Sequence, residues 1–284
     1  MKIGFIGAGK VGTTIAKAFV ERGLTVTGFF SRTPDSAIFS ADFTKTKAFD
    51  RLASLVAESD TIVLTVPDDA IKLVIKSLET LPLKGKTICH TSGVYSIDET
   101  FPHRKRLDAC GIGLHPLYPI HDKVSVWHTI HEATFTLEGD REPVTTWQHT
   151  LTNLGFTVKT IEPQHKAAYH AAASIACNFT CALLDQSLRL MAKSGFSERE
   201  ALDALRPLLE ANLAHLLASG PQTALTGPIE RNDIGTVTKH LHALATDLER
   251  RRYAVMGLSV VDIAKRRHPT TNYSQLIELL ESFL

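Results

Sequence analysis

The chain has 284 residues, which at one domain per roughly 100–200 residues predicts about two domains. Hydrophobic residues make up 44% and charged residues 21%, so ordinary cores form and wholesale disorder is excluded. Lys plus Arg number 31 against 30 acids, a formal charge of +1; with no global basic field, nucleic acid is not an expected partner. Four cysteines without a C-x-x-C pair argue against a disulfide framework or a zinc site, so no metal is expected. No apolar run is read as approaching the roughly 20 residues that span a bilayer, and the first strand starts at Lys2 without a signal-peptide pattern. The expectation is a soluble, cytoplasmic protein with no membrane partner.

The first half alternates strand and helix. Lys2–Ile6 reads as a short apolar strand, followed by a Gly-rich turn and a helix over Val11–Arg22 that ends near Gly23. Leu24–Phe30 is the next strand, rich in β-branched and aromatic residues. Thr61–Val66 is almost wholly apolar, as a strand buried on both faces should be. Asp68 and Asp69 are expected to cap a helix over Ala70–Leu78. Strands follow at Lys86–Cys89, Gly111–Leu114, Ala133–Leu137 and Thr157–Thr160, with a helix around Thr145–Leu154. This alternation predicts an α/β fold, a doubly wound parallel sheet of the Rossmann type.

The second half is all helix. Lys166–Lys193 is one long helical pattern, about 40 Å at 1.5 Å per residue. It is apolar on every side, which predicts burial within the chain or in a subunit interface; Cys177 and Cys181 on it read as small buried hydrophobes. Ser197–Ala218 is a helix with Ser197 and Glu200 as a capping box, and Asp233–Arg252 and Ser274–Phe283 complete the set. The border falls near Glu162-Pro163, giving a dinucleotide-binding domain over 1–162 and a helical domain for substrate binding and dimerisation over 163–284.

Residues 7–12, GAGKVG, place Gly7, Gly9 and Gly12 in a G-x-G-x-x-G pattern between a strand and a helix, with Ala8, Lys10 and Val11 completing the loop. In that context Gly7 permits the tight turn, Gly9 lets the backbone approach a pyrophosphate, and Gly12 lets the helix pack closely. The free N–H groups of the helix start then hold the anion. The end of the second strand discriminates between cofactors. An NAD site carries Asp or Glu about 20 residues past the glycines, whereas this chain has Ser31, Arg32 and Thr33. No carboxylate repels a 2′-phosphate there, and Arg32 offers it a fork of donors. NADP(H) is therefore the expected cofactor. Further strand ends, at Val66-Pro67-Asp68, Thr91-Ser92-Gly93 and His115-Pro116, line the expected nicotinamide side. Ser92 supplies a hydroxyl and His115 a titratable donor.

These stretches, with FSRTPDSA, VPDDAI, HTSGVYS, GLHPLYPI, YHAAASIACNFTCAL and ALTGPIERND, spread from residue 7 to residue 233. Together they resemble the Rossmann-like NADP oxidoreductases that carry a helical C-terminal domain of unknown function. These are relatives of pyrroline-5-carboxylate reductase, ketopantoate reductase and the deazaflavin-dependent NADP reductases, with a C-terminal domain like that of 6-phosphogluconate dehydrogenase. The resemblance implies two domains, NADP binding and a homodimer built on the helical domain, without a defined substrate. It also implies an Asn on the long helix one turn after a catalytic Lys. Asn178 matches the Asn, but Ser174 stands where the Lys would be, which puts a lysine-based ketopantoate mechanism in doubt.

At 100° per residue, His170, Ser174 and Asn178 share a stripe about 80° wide on the long helix, and Lys166 lies a further turn back as a weaker candidate. Arg231, in a segment resembling the family's TGP-x-x-R-x-D pattern, is a candidate clamp for a substrate carboxylate or else a partner of Asp233 or Glu230. Asn232 replaces the usual glycine and tolerates left-handed geometry. The expected function is hydride transfer between NADP(H) and a small carbonyl or imine. His170 or His115 would act as proton donor, Asn178 and Ser92 would orient the carbonyl, and Ser174 would join their stripe. The competing reading is a non-catalytic NADP-binding or sensing protein.

Overall fold

The computed structural model describes residues 1–284. The strands are β1 (Lys2–Ile6), β2 (Thr25–Phe30), β3 (Lys47–Phe49), β4 (Thr61–Leu64), β5 (Thr87–His90), β6 (Cys110–Leu117), β7 (Thr134–Gly139) and β8 (Thr157–Thr160). Between them run α1 (Lys10–Glu21), α2 (Pro34–Thr44), α3 (Leu52–Glu58), α4 (Asp68–Leu78), α5 (Ile97–Thr100) and α6 (Arg141–Asn153). One sheet holds all eight strands in the order β3-β2-β1-β4-β5-β6-β7-β8. All pairs are parallel except β6 with β7, so the parallel Rossmann reading holds with one antiparallel step. The order reverses between β1 and β4, and the carboxyl ends of strands at such a switch point are where ligands bind in doubly wound sheets.

Alternation along the central strands builds two cores. Ile3, Phe5, Val63 and Cys89 face one side, with Ile15 and Phe19 of α1 and Trp147 and Leu151 of α6. Ile6, Ile62, Leu64 and Ile88 face the other, with Leu55 of α3, Ile71 of α4 and Ile97 of α5. A period of two residues on a strand covered on both faces requires this pattern. Asp68 and Asp69 do not cap α4: Pro67 is its N-cap and the two acids occupy the first turn, where their charge opposes the helix dipole's positive end.

The later helices are α7 (Lys166–Lys193), α8 (Glu198–Ser219), α9 (Pro221–Ala224), α10 (Ile234–Ala243), α11 (Asp247–Arg267) and α12 (Ser274–Glu281). The capping box of Ser197 with Glu200 is formed. The single helix expected over Asp233–Arg252 is two: it breaks after Ala243, and Thr246 opens α11 with a second capping box to Glu249. By compactness the chain divides into Met1–Cys181 and Ala182–Leu284, a division that falls inside α7, whereas sheet gives way to helix near the expected border at 162/163. In the second unit, Val237, Leu241, Ala254, Val261, Leu276 and Leu280 form a core.

Two expectations about α7 are corrected. Within the single chain only Lys166 of its 28 residues is buried; Ile175 and Phe179 are each 58% exposed, and Cys177 and Cys181 are exposed rather than buried. The stretch Pro163–Lys193 is also long and apolar enough, by length and composition alone, to cross a bilayer. Beyond its first turns the helix keeps large apolar side chains exposed within the single chain.

Candidate active site

The glycine loop has the form an anion site needs. Gly7 adopts φ +102°, in the region open chiefly to glycine. A Cβ on Gly12 would collide with Thr65 Oγ1 and lie 2.5 Å from the Gly7 carbonyl, so glycine lets α1 start against the end of β4. Gly9 faces open space, with no atom within 4 Å of an added Cβ. It is also the N-cap of α1, which has neither a side-chain cap nor an acid in its first turn. The orphan N–H groups of that turn are thus free to hold a pyrophosphate. At the end of β2, Ser31 Oγ accepts the Thr33 N–H at 3.2 Å, and Arg32 is exposed and forms no ion pair. This donor set fits a 2′-phosphate. Val66, Pro67 and Asp68 follow β4, half-buried to exposed, at the same edge.

A cleft of about 160 Å³ opens beside this loop, lined by Val11, Thr91, His115, Pro116, Tyr118 and Ile120. The start of α1 therefore shares a cavity with the ends of β5 and β6. His115 Nδ1 is 2.8 Å from the Tyr169 hydroxyl, and its ring meets those of Tyr169 and His170 edge-on, with centroids 5.6 and 5.7 Å away. Gly93 sits between the two histidines: a Cβ there would collide with His170 Nδ1 and lie 2.9 Å from His115 Nε2. His170 Nδ1 is buried and has no protein partner. Burial, and then the neighbouring His170 and Lys166, lowers His115 to about 4, so it is neutral at pH 7. Burial raises Tyr169, keeping its phenol protonated.

Under the cleft, Lys166 Nζ is 3.2 Å from Glu138 Oε1 and donates to the Ser92 carbonyl at 2.9 Å. Burial pushes Glu138 up and Lys166 down, each opposed by its partner. His90, fully buried at the end of β5, is lowered to about 3 by burial and then by Lys166, and neither ring nitrogen has a partner.

The structure thus brings His115 and His170 together, ties the weaker candidate Lys166 to the turn beside them, and adds Tyr169 and Glu138. The other expected residues have their own surroundings. Ser92 is buried and closes its own turn, its Oγ accepting the Val94 and Tyr95 N–H groups at 3.2 and 3.1 Å. Ser174 is half-buried and Asn178 exposed; eight residues of helix put Asn178 about 12 Å beyond His170. Arg231 is exposed and pairs with neither expected acid. Glu230 binds His268 at 2.6 Å, and Asp233 caps α10 through Thr236. Asn232 takes the left-handed turn at φ +56°. Tyr169 was legible as the neighbour of His170 in the YH pair. Glu138 was legible as the one charge in the buried strand TFTLEG.

Residues 2–92 match the family model described as NADP oxidoreductase coenzyme F420-dependent, and residues 133–260 match a domain of unknown function, DUF2520. No curated protein sequence matches the chain. Among solved structures, a Bacteroides fragilis protein assigned as an NADP oxidoreductase is 22% identical at a TM-score of 0.73, covering 92% of this chain and 98% of that one. A reductive aminase of Aspergillus terreus in complex with NADPH is 17% identical at 0.60, covering 99% and 92%. A pyrroline carboxylate reductase of Plasmodium falciparum with NADP bound is 13% identical at 0.61, covering 100% and 98%. At these identities the likeness speaks for the fold. The chain joins a dinucleotide-binding domain matching the NADP oxidoreductase family to a C-terminal domain matching DUF2520, the pairing that the resemblance in its sequence implies.

Proposed function

We propose that the protein is an NADPH-dependent reductase of a small carbonyl or imine compound. The observation that carries this reading is the shared cleft: the helix start that fits a pyrophosphate and the His115–Tyr169 pair line or border one cavity. Arg32, with Ser31 and Thr33, would hold the 2′-phosphate, and the N-terminus of α1 the pyrophosphate. NADPH, when bound, supplies the hydride.

The remaining work is proton delivery and orientation. With His115 neutral, a stored imidazolium is not the acid. In its Nδ1–H tautomer His115 donates to the Tyr169 oxygen, leaving the phenol proton for the nascent alkoxide or amine, and the same N–H then steadies the phenolate. His170 Nδ1, buried and unpartnered, is the group left to bind the reacting polar atom, since an unmatched buried nitrogen costs about 1–3 kcal/mol. Arg231 is a candidate clamp for a substrate anion.

We further propose a homodimer through the helical domain. Ile175 and Phe179 on α7, and Leu208, Leu209, Leu213 and Leu217 on α8, are 45–78% exposed, more apolar surface than a monomer usually leaves open. The reductase reading is tested by incubating the purified protein with NADPH and a panel of cyclic imines and small keto acids. Saturable, substrate-dependent loss of NADPH absorbance is expected, abolished by Tyr169→Phe with cofactor binding retained. Tight NADPH binding without turnover on any substrate would instead favour a sensor.

A further inference from the structure

Beneath the cleft lies a charged pair that the proposed reaction leaves idle. Lys166 and Glu138 are 2% and 3% exposed. Besides Lys166, Glu138 binds the Ile97 N–H, which reaches its two oxygens at 3.1 and 3.3 Å. Lys166 holds the Ser92 carbonyl, so the pair grips both ends of the 92–97 turn. Gly113 makes the room: a Cβ there would collide with the Glu138 carboxylate and lie 2.7 Å from Lys166 Nζ. Gly113 pairs with Glu138 across the β6–β7 ladder, and His115 lies two residues on, along the same face of β6. On α7, Tyr169 and His170 come three and four residues after Lys166, on the next turn of the same side.

Stability is a weak reason for such a pair, because well-packed apolar residues of similar volume usually serve as well. Nor is Lys166 placed as an acid or base. It does not line the cleft, and two of its three donors go to protein acceptors. Its reach is geometric: the carbonyl it holds belongs to Ser92, and the next residue is Gly93, pressed between His170 and His115. We propose that Lys166 and Glu138 are positioning residues, which pin the Ser92–Gly93 turn to the head of α7 and to β7 and so set the spacing of His115, Tyr169 and His170. Its consequence for turnover rests on the reductase reading; its consequence for the two imidazoles does not.

The test compares Lys166→Met with the double variant Lys166→Met/Glu138→Met, which leaves no lone buried charge. Side-chain NMR of the histidines, NADPH calorimetry, melting and turnover are measured on each. The double variant is expected to fold but to melt below the wild type, since the Ile97 N–H and the Ser92 carbonyl lose their partners, and to bind NADPH unchanged. The ring resonances of His115 and His170 move, and turnover falls about a hundredfold, the scale of an ångström's misplacement. If Lys166→Met alone does not fold, the double variant carries the comparison. Wild-type ring resonances and wild-type turnover in the double variant would make the pair merely structural and overturn the proposal. A wild-type protein that reduces nothing, while the rings still respond to the double variant, would sink the reductase reading and leave positioning intact.

Discussion

The sheet and the helices α7 and α8 dispose of their apolar residues in opposite ways. Around the sheet, Phe5, Phe19, Phe29, Phe135 and Trp147 are all nearly or completely buried, and the rings of Phe19 and Trp147 lie 5.8 Å apart. On α8 only Ala201 is buried, while Leu217 is 78% exposed. Both regions are rich in large hydrophobes, so composition does not separate them. What separates them is whether the chain itself provides the opposing surface. The first region is closed on itself; the second leaves its large hydrophobes exposed within the single chain.

Four experiments break or sharpen this contrast. Trp147→Ala removes a side chain from the closed core and should cost about 3–5 kcal/mol in urea unfolding; a loss below 1 kcal/mol would mean that the core is looser than its burial implies. Acidification comes next. His115 and His90 are held near 4 and near 3 against an ordinary 6.5, so below about pH 6.5 the unfolded chain takes up protons that the folded one refuses. Stability should be complete above that pH and fall steadily down to about 3, with His115→Gln flattening part of the slope. Arg32→Ala, at the rim of the closed region, should weaken NADPH binding roughly ten- to a hundred-fold, the worth of one charge-assisted bond. NADH binding and the melting temperature should stay put; equal losses for both coenzymes would remove Arg32 from the 2′-phosphate. The smallest effect is expected for Leu213→Ala at high dilution, within about 0.5 kcal/mol as for an exposed site. At higher concentration the wild type should melt progressively later and the variant should not follow it.

Local signals carried most of the fold. A G-x-G-x-x-G string between a strand and a helix, and wholly apolar strands such as TIVL, identify a dinucleotide-binding sheet because each states its own geometry. Lys166–Lys193 is bounded as its pattern predicts, and Ser197 with Glu200 marks the start of α8. Signals that depend on distant partners were harder to read. The three residues of β3 show no alternation worth the name, and they pair only because β2 lies alongside. The break at 244–246 was hidden because Thr246 and Glu249 sit in a stretch whose helical period runs through them. At the site, His115 and His170 stood out as titratable residues at strand end and on helix stripe. Asn178 shared that stripe, yet a stripe fixes direction around an axis and not distance along it. Tyr169, Glu138 and Lys166 gain their meaning only when β6, β7 and α7 meet.

Gly113 ties three positions into a single fingerprint. A side chain there and the Glu138–Lys166 bridge exclude one another, so the three letters should be inherited or lost together. Among distant sequences, a glycine on the sixth strand, a glutamate across from it on the seventh and a lysine heading the long helix form a search pattern that needs no catalytic residue to be recognised. It would sort chains that share this anchoring of the turn from those that merely share the nucleotide fold.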